Sequence, residues 1–478
     1  MLYFRPQLGA VGDAIPFYHR GEYHLFYLIA PPVENSQERM CTSWGHIRSK
    51  DLLSWTELPH ALEPSGQEGS ADQSACWTGS VIEHDGMFHV FYTGGSVAGK
   101  SFRQTICQAT SPDLIRWQKN SDNPILVPDD RWYESTDWRD PFVYWQQKDE
   151  CFYMLIAARN KTGWPPRRGC LALATSRDLQ SWTIQPPAWE PYIGHVLECP
   201  ERFRIGAREY LAFSTYSEEN VTHYRLIRET GEIVSPPLAD QIETRFYYAA
   251  KGLSDDSRRI TFGWIPEVAG GTDEGEVLWG GNLGIPHTLT PRADGTLAVY
   301  YPDSYRKLIG TQFGFDPITQ LGDWQSAPDG WRASAPGGAA YKLLERQPQA
   351  FYLTVRLALE GGTHSAGLIL NADRDLSWGY FLELENASRI LRLFKYPRGE
   401  SLPKRKVLVQ RVLPFPVNEV YLELFYAQGM LTVFVNQSAA MSARMYETAP
   451  CFGLFVQSGK AIFQGLAGHS LKLEGSSL

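Results

Sequence analysis

The sequence predicts an all-β protein, a five-bladed β-propeller followed by a C-terminal β-sandwich. Strand-like segments dominate: short runs of β-branched and aromatic residues are separated by Gly, Asp, Asn and Pro turns. A phrase of the form Ser-x-Asp-Leu-x-x-Trp recurs at intervals of about 60 residues, a length that holds roughly four strands with their loops. Its copies are Ser49-Lys-Asp-Leu-Leu-Ser-Trp55, Ser111-Pro-Asp-Leu-Ile-Arg-Trp117 and Ser176-Arg-Asp-Leu-Gln-Ser-Trp182.

Local signals within the repeat predict its hairpins and turns. Val81–Tyr92 contains an Asp-Gly pair between two apolar runs, which predicts a two-stranded hairpin. Asp51, Asp113 and Asp178 occupy the same position in every copy of the phrase. A residue needed in every copy serves the fold, so we expect each aspartate to cap the turn of its own blade.

The repeats divide the chain into three predicted segments. Residues 1–305 hold the five blades, and residues 306–335 are rich in Gly, Asp and Pro, which predicts a linker. Strand alternation resumes without the phrase in residues 336–478, which predicts a β-sandwich. Its predicted strands include Phe351–Leu359, Gly379–Glu385, Glu419–Phe425 and Met430–Asn436. A solenoid is the alternative for the repeats, since solenoid units stack along a line and need no axis.

Composition and charge exclude several classes of function. The formal net charge is -8 and there is no basic stripe, so nucleic acid is not expected as a partner. No run approaches about 18 consecutive apolar residues, and Met1–Leu8 has no charged leader before an apolar stretch, so neither a membrane span nor a signal peptide is predicted. Seven irregularly spaced cysteines without zinc-type pairs fit reduced thiols, and we expect a cytoplasmic protein.

Three acidic residues lie at similar positions in different repeats. Asp13, Asp140 and Glu198 each lie near the start of a repeat, and in a radial arrangement equivalent positions point to one centre. Breaking a glycosidic bond needs one carboxylic acid to protonate the leaving oxygen and a carboxylate on the other side. Proline follows Asp140 directly and Glu198 after one residue, which restricts the backbone beside both acids. The pattern favours a glycosidase whose acids share one pocket.

The sequence resembles glycoside hydrolase family 32, the invertases and fructanases. The matching motifs keep the family's order: Gly21–Tyr27, Trp44–Trp55, Cys76–Ser80, Trp138–Pro141, Glu198–Pro200, Phe262–Trp264 and Leu278–Pro286. The resemblance implies a retaining β-fructofuranosidase-like hydrolase that cleaves terminal furanosides of sucrose or short oligosaccharides by double displacement, without a metal or organic cofactor. It implies Asp13 as nucleophile, Glu198 as general acid/base and Asp140 as transition-state stabiliser. The implied sugar-contacting residues are Trp44, Trp77, Thr78, Arg139 and Trp279.

The sequence departs from this family beside the expected sugar position. The family's Asn-Asp-Pro-Asn-Gly is replaced by Gly12-Asp-Ala-Ile-Pro16, and Leu28 stands where a sugar-binding glutamine is usual. The family's Asp-Phe-Tyr-Ala is altered to Phe246-Tyr-Tyr-Ala249. Because an alkyl group cannot satisfy a hydroxyl that an amide binds, such a change can alter specificity strongly. We therefore hypothesise a furanosidase whose glycone or linkage differs from the usual terminal β-fructose.

Two other functions fit the same residues. An inverting arabinofuranosidase or xylosidase like family 43 shares the propeller and an Asp, Asp, Glu set, and its first Asp activates water. A non-catalytic carbohydrate-binding propeller would fit the altered nucleophile motif, although all three acids are present. The sequence leaves open the sugar and linkage, hydrolysis or transfer, and whether the sandwich packs on the propeller or mediates a homodimer.

Overall fold

The computed structural model of the protein describes residues 2–98, 101–345, 348–396 and 404–473. Nearly all regular structure in these residues is β-strand, in agreement with the predicted all-β class. The helical segments are α1 (Ser36–Arg39) and 3-10 turns at Pro165–Arg167, Ala269–Gly271 and Asp303–Leu308. Within the described ranges, no helix has the length and apolar character needed to cross a membrane.

The N-terminal part is built from short antiparallel strands in chain order. They are β1 (Ala10–His19), β2 (Glu22–Ala30), β3 (Ser43–Ser49), β4 (Thr56–Leu62), β5 (Ala75–His84), β6 (Met87–Ala98), β7 (Ser101–Ser111), β8 (Gln118–Lys119), β9 (Tyr133–Gln146), β10 (Cys151–Asn160), β11 (Gly169–Ser176), β12 (Thr183–Trp189), β13 (Glu198–Ile205), β14 (Arg208–Thr215), β15 (Val221–Ile227), β16 (Ile233–Val234), β17 (Tyr248–Ser254), β18 (Arg259–Val268), β19 (Val277–Leu283), β20 (His287–Pro291) and β21 (Leu297–Tyr300).

These strands form groups around a common axis. Strands β1–β4, β5–β8, β9–β12 and β13–β16 pair consecutively, and β19 joins the group of β17, β18, β20 and β21 to β1. The first strands contact one another in the order β1, β5, β9, β13, β17, and β17 returns to β1. This closed ring is the arrangement of a propeller, whereas a solenoid would leave its two end repeats apart.

The predicted turns are found where the repeated phrase and the Asp-Gly pair lie. Asp85 and Gly86 have φ of 51° and 75° and connect β5 to β6, as a two-residue hairpin turn requires. The Asp51 carboxylate accepts hydrogen bonds from the backbone N–H groups of Leu53 and Ser54 at 2.9 and 2.8 Å. Asp113 and Asp178 accept equivalent pairs in their own repeats. The expected turn-capping role of these aspartates is confirmed.

The C-terminal part forms one extended antiparallel assembly. Its strands are β22 (Ile309–Phe313), β23 (Pro317–Leu321), β24 (Asp323–Ala327), β25 (Gly330–Leu344), β26 (Phe351–Leu359), β27 (Ser365–Ala372), β28 (Gly379–Glu385), β29 (Ile390–Tyr396), β30 (Lys406–Val412), β31 (Glu419–Ala427), β32 (Met430–Val435), β33 (Ala439–Arg444) and β34 (Cys451–Leu471). Two predicted strands have the predicted bounds, β26 and β28. The long strand β34 pairs with β25 and β27 in its first half and with β26 and β22 in its second.

The prediction of an irregular linker at residues 306–335 is wrong. A 3-10 turn ends at Leu308, and β22, β23, β24 and the start of β25 follow within this range. β22 and β25 pair with β34, so these residues belong to the C-terminal sheet system. Gly and Pro lie at the turns and at the register shift between Ala335 and Ala339, and their density concealed the strand pattern.

A buried charge cluster joins the two parts of the molecule. Asp273, in the connection between β18 and β19, lies 2.8 Å from the Lys395 ammonium of β29. The same ammonium is 2.7 Å from Glu447, and the Tyr380 hydroxyl donates to Asp273 at 2.5 Å. Both Asp273 and Lys395 are buried. The flanking strands β18 and β19 carry residues of the candidate site, so the sandwich fixes one side of that site.

Lys395→Met is expected to destabilise the protein by about 3 kcal/mol, because it leaves a buried carboxylate without its cation. Urea denaturation followed by tryptophan fluorescence measures the loss. The exposed Lys460 on β34 offers a matched control, and Lys460→Met should change stability by less than about 0.5 kcal/mol. Equal, small effects of the two substitutions would contradict the assignment of the cluster as an interdomain anchor.

Candidate active site

The first strand of each propeller group contains a β-bulge. These five inner strands are β1, β5, β9, β13 and β17. At each bulge the inner strand has an additional residue relative to its partner. A bulge bends its strand and redirects a side chain, and bulges are frequent beside active sites. The bulged residues are Gly12-Asp13, Thr78, Asp140-Pro141, Cys199-Pro200 and Ala249-Ala250.

Three of these bulges hold a non-glycine residue in the left-handed region. Asp140, Cys199 and Ala249 have φ of 58°, 49° and 49°, a conformation that L-residues rarely adopt. Such strain persists only where the surrounding structure fixes it, and it concentrates at functional sites. The prolines after Asp140 and Cys199 lack an N–H and therefore suit the places where the strand ladder is interrupted.

A cavity of about 430 Å³ brings the three sequence-predicted acids together. Asp13, Asp140 and Glu198 all line it, and Cys199 links the first two. The backbone N–H of Cys199 donates to Asp140 Oδ2 at 3.0 Å. Its Sγ lies 3.5 Å from Asp13 Oδ2 and 3.8 Å from Asp140 Oδ2. The sulfur atom of Cys199 is therefore close to both carboxylates.

Asp13 is buried among hydrogen-bond donors. Thr78 Oγ1 donates to Asp13 Oδ2 at 2.5 Å, and Trp264 Nε1 donates to Oδ1 at 2.9 Å. Burial raises the pKa of Asp13, whereas these two hydrogen bonds lower it. The preceding residue must be small, because a Cβ on Gly12 would lie 2.2 Å from the ring of Trp279. That ring fills the space next to the acid.

Glu198 has a different environment from Asp13. Arg139 Nη2 donates to Glu198 Oε1 at 3.0 Å, and the Tyr248 hydroxyl donates to Oε2. Burial raises the pKa of Glu198, and the negative charge of Asp140 raises it further, while Arg139 and Tyr248 lower it. Burial likewise raises the pKa of Asp140.

The acids thus have the properties needed at a glycosidic bond. Asp13 accepts hydrogen bonds from side chains that stabilise its ionised form. Glu198 carries a raised pKa, which favours a proton that can be given to a leaving oxygen. Burial raises the pKa of Asp13 as well as that of Glu198, and two neighbouring carboxyl groups can share the roles of ionised nucleophile or base and of protonated acid.

The structure places five of the six predicted substrate contacts at the cavity. Arg139, Trp77, Thr78, Trp279 and Leu28 line it. Trp44 does not: its side chain is 0% exposed, and its Nε1 donates to the backbone carbonyl of Trp77 at 3.1 Å. Because Trp44 supports Trp77 from behind, it cannot touch a substrate in this structure, and its predicted contact is corrected to a packing role.

Several lining residues were not singled out by sequence reasoning. Gln104, Tyr216, Asn220 and Arg245 come from connections or strand ends outside the matching motifs, so no pattern indicated them. Tyr248 lies in a segment noted only as a departure from the family, and its contact with Glu198 depends on the fold. Glu201 pairs with Arg259 at 2.6 Å rather than with a neighbouring arginine of β13.

Comparison with protein-family models decides the family. Residues 4–302 match the glycosyl hydrolases family 32 N-terminal domain. The chain belongs to glycosyl hydrolase family 32. Sucrose-6-phosphate hydrolase of Escherichia coli is 26% identical over 92% of this family 32 chain and 88% of its own length. The insoluble β-fructofuranosidase isoenzyme CWINV6 of Arabidopsis thaliana is 27% identical over 63% of this chain, but that match spans only 58% of the relative.

Solved structures of family 32 share the fold. Fructan 1-exohydrolase IIa from Cichorium intybus superposes with a TM-score of 0.71 at 19% identity, over 98% of this chain and 97% of that one. Sucrose-6-phosphate hydrolase from Lactobacillus gasseri gives 0.73 at 20% identity, over 98% and 92% of the two chains. The prediction of a β-propeller combined with a β-sandwich is confirmed.

Proposed function

We propose that this chain is a retaining β-fructofuranosidase-like hydrolase that cleaves terminal furanosides of sucrose or short oligosaccharides. The observation that carries the proposal is the convergence of Asp13, Asp140 and Glu198 in one cavity. The names of its relatives, β-fructofuranosidase, fructan 1-exohydrolase and sucrose-6-phosphate hydrolase, support fructose as the glycone.

The proposed chemistry is a double displacement. Asp13 attacks the anomeric carbon while Glu198 protonates the departing oxygen, which leaves a glycosyl ester on Asp13. Water, activated by Glu198 as base, then hydrolyses that ester with net retention. Asp140, held by the Cys199 N–H, accepts hydrogen bonds from sugar hydroxyls and stabilises the positive charge that develops on the ring.

The proposed architecture assigns five blades to the propeller. The closed order of β1, β5, β9, β13 and β17 and the bulge shared by all five strands support this number. We propose that the propeller domain comprises residues 1–305, and that the sandwich begins at β22. We also propose that the protein acts in the cytoplasm on small sugars.

Product analysis tests the reaction. Proton NMR of the first-formed anomer during sucrose hydrolysis should show retained configuration, whereas an inverting enzyme gives the opposite anomer. Initial rates on sucrose, inulin-type oligosaccharides and aryl arabinofuranosides define the glycone. Faster release of arabinose than of fructose would contradict the proposed substrate and would support the departure at Leu28 as the cause.

Tyr248→Phe is expected to shift the alkaline limb of the kcat/KM profile to higher pH. The Tyr248 hydroxyl stabilises the Glu198 carboxylate, so its removal raises the pKa of Glu198 and keeps the general acid protonated at higher pH. The neighbouring Tyr247 is a matched control, because its hydroxyl donates to the Thr261 carbonyl at 2.8 Å instead. An unchanged limb in Tyr248→Phe, or an equal shift in Tyr247→Phe, would contradict this coupling.

A further inference from the structure

Three exposed aromatic side chains lie on connections at the cavity end of the propeller. Trp164 lies between β10 and β11, Tyr192 between β12 and β13, and Tyr216 between β14 and β15. The site residues show which end of the sheets this is. Arg139 pairs with the last part of β10, which leads to Trp164, and Glu198 pairs with the last part of β14, which leads to Tyr216. The aromatic side chains are 60%, 51% and 41% exposed.

Tyr216 connects this surface to the cavity. It lines the cavity itself, and its ring centroid lies 6.1 Å from that of His195, which follows Tyr192 in the same connection. Glu218, two residues after Tyr216, pairs with Arg167 at 3.1 Å.

Trp164 is joined to both neighbouring connections. The Arg167 guanidinium lies 5.2 Å from the centroid of the Trp164 ring, so the pair with Glu218 holds this ring beside the β14–β15 connection. On the other side, a Cβ placed on Gly163 would be 3.6 Å from the Tyr192 ring. The exposed aromatics are therefore one continuous surface rather than isolated residues.

A series of paired acidic and basic side chains extends from the cavity to the connection that holds Trp164. Arg139 lies 3.0 Å from Glu198 and 2.6 Å from Asp137. Arg159 lies 3.6 Å from the other oxygen of Asp137 and donates to the carbonyl of Pro165, next to Trp164, at 2.8 Å. Hydrogen-bonding groups thus lie between the catalytic acid and the outermost aromatic ring.

The backbone of Tyr192 is strained without a packing reason. Its φ is 57°, although a bulky aromatic residue strongly disfavours the left-handed region. Because its side chain is half exposed, core burial does not account for this conformation.

We propose that Trp164, Tyr192 and Tyr216 form a platform that binds the distal sugar units of an oligosaccharide whose scissile bond lies in the cavity. Sugar rings have apolar C–H faces that stack on aromatic rings and hydroxyl edges that bind charged groups, and this surface offers both. A cavity of about 430 Å³ is at the small end of the range for ligand sites, so further sugar units lie outside it. This inference rests on the proposed function and specifies its substrate class: oligosaccharides longer than a disaccharide.

The test compares substrate lengths in matched tryptophan variants. Trp164→Ala should lower kcat/KM for an inulin-type tetrasaccharide by about tenfold, or about 1.4 kcal/mol, and leave sucrose hydrolysis unchanged. The control is Trp145→Ala, because Trp145 is 44% exposed on the same sheet but lies at the opposite end of β9. The platform would be overturned if Trp164→Ala lost equal activity on sucrose and tetrasaccharide, or lost none on either. It would also be overturned if Trp145→Ala showed the same selective loss.

Binding separates this proposal from the proposed reaction. In a Glu198→Gln background, calorimetry should show tetrasaccharide binding about tenfold weaker when Trp164→Ala is added, with sucrose binding unaffected. If wild type hydrolyses no furanoside yet this selective loss in binding occurs, the platform stands and the reaction fails. If tetrasaccharide binding does not depend on Trp164, the platform fails whatever the reaction. Light scattering of wild type and Trp164→Ala tests whether a second copy of the chain, rather than a sugar, binds this surface. Conversion of a dimer to a monomer by Trp164→Ala would show that it does and would overturn the platform.

Discussion

Replacing Asp13 with asparagine is expected to lower kcat on sucrose by at least about 10⁴-fold while the protein stays folded. An amide cannot attack the anomeric carbon, so no glycosyl ester forms. The substitution keeps the shape of the side chain: its carbonyl oxygen can still accept from Trp264, and its amide can donate to Thr78 Oγ1. Initial rates measure the loss, and circular dichroism with thermal melting verifies the fold.

Asp113→Asn is the matched control for this substitution. Asp113 also accepts two hydrogen bonds, from the backbone N–H groups of Ile115 and Arg116, but it caps a turn of the repeat outside the cavity. Asparagine retains an oxygen that can accept both bonds, so the control should leave the fold and kcat unchanged. Near-normal turnover in Asp13→Asn, or a comparable loss of kcat in Asp113→Asn, would refute the nucleophile assignment.

The propeller could be predicted because its signals are local and repeated. The phrase ending at Trp55, Trp117 and Trp182 builds the same capped turn in each copy, and one Asp-Gly pair forms a hairpin without help from distant residues. The residues 306–335 were misjudged in part because two of their strands, β22 and β25, pair with β34, which lies more than a hundred residues later. Local composition cannot report a pairing made at that separation.

The candidate site was predictable where a motif fixes both the residue and its backbone. Asp140 and Glu198 stand beside prolines that mark bulges, and those bulges turn the acids to the cavity. Trp44 lies in a matching motif, yet strand alternation directs its side chain into the core. Tyr216 and Arg245 lie outside any motif, and only the ring of strands brings them to the acids.

Departures from the family also acquire physical causes in the structure. Gly12 leaves room for the Trp279 ring, and it brings no amide group to the space beside Asp13. Leu28 lies opposite the bulge of β1 and lines the cavity with an alkyl group. Asp13 and Glu198 both accept side-chain hydrogen bonds, whereas Leu28 brings no amide group to the cavity wall.

Glu198→Ala is expected to separate the two halves of the reaction. Without an acid, kcat/KM for sucrose should fall by about 10³-fold or more, while a substrate with an activated aryl leaving group should lose less in the first step. The glycosyl ester on Asp13 then accumulates, because no base activates water to hydrolyse it. Azide needs no base, and it should restore turnover by attacking that ester.

The configuration of the azide product decides between the retaining and inverting mechanisms. Attack on an ester at Asp13 is the second displacement and gives a glycosyl azide with the configuration of the substrate. In an inverting enzyme no ester forms, so Glu198→Ala with azide would give no glycosyl azide of retained configuration. Asp140→Ala should show no azide rescue, since Asp140 transfers no proton in either half-reaction. Failure of azide to rescue Glu198→Ala, or an azide product of opposite configuration from that variant, would contradict the double displacement.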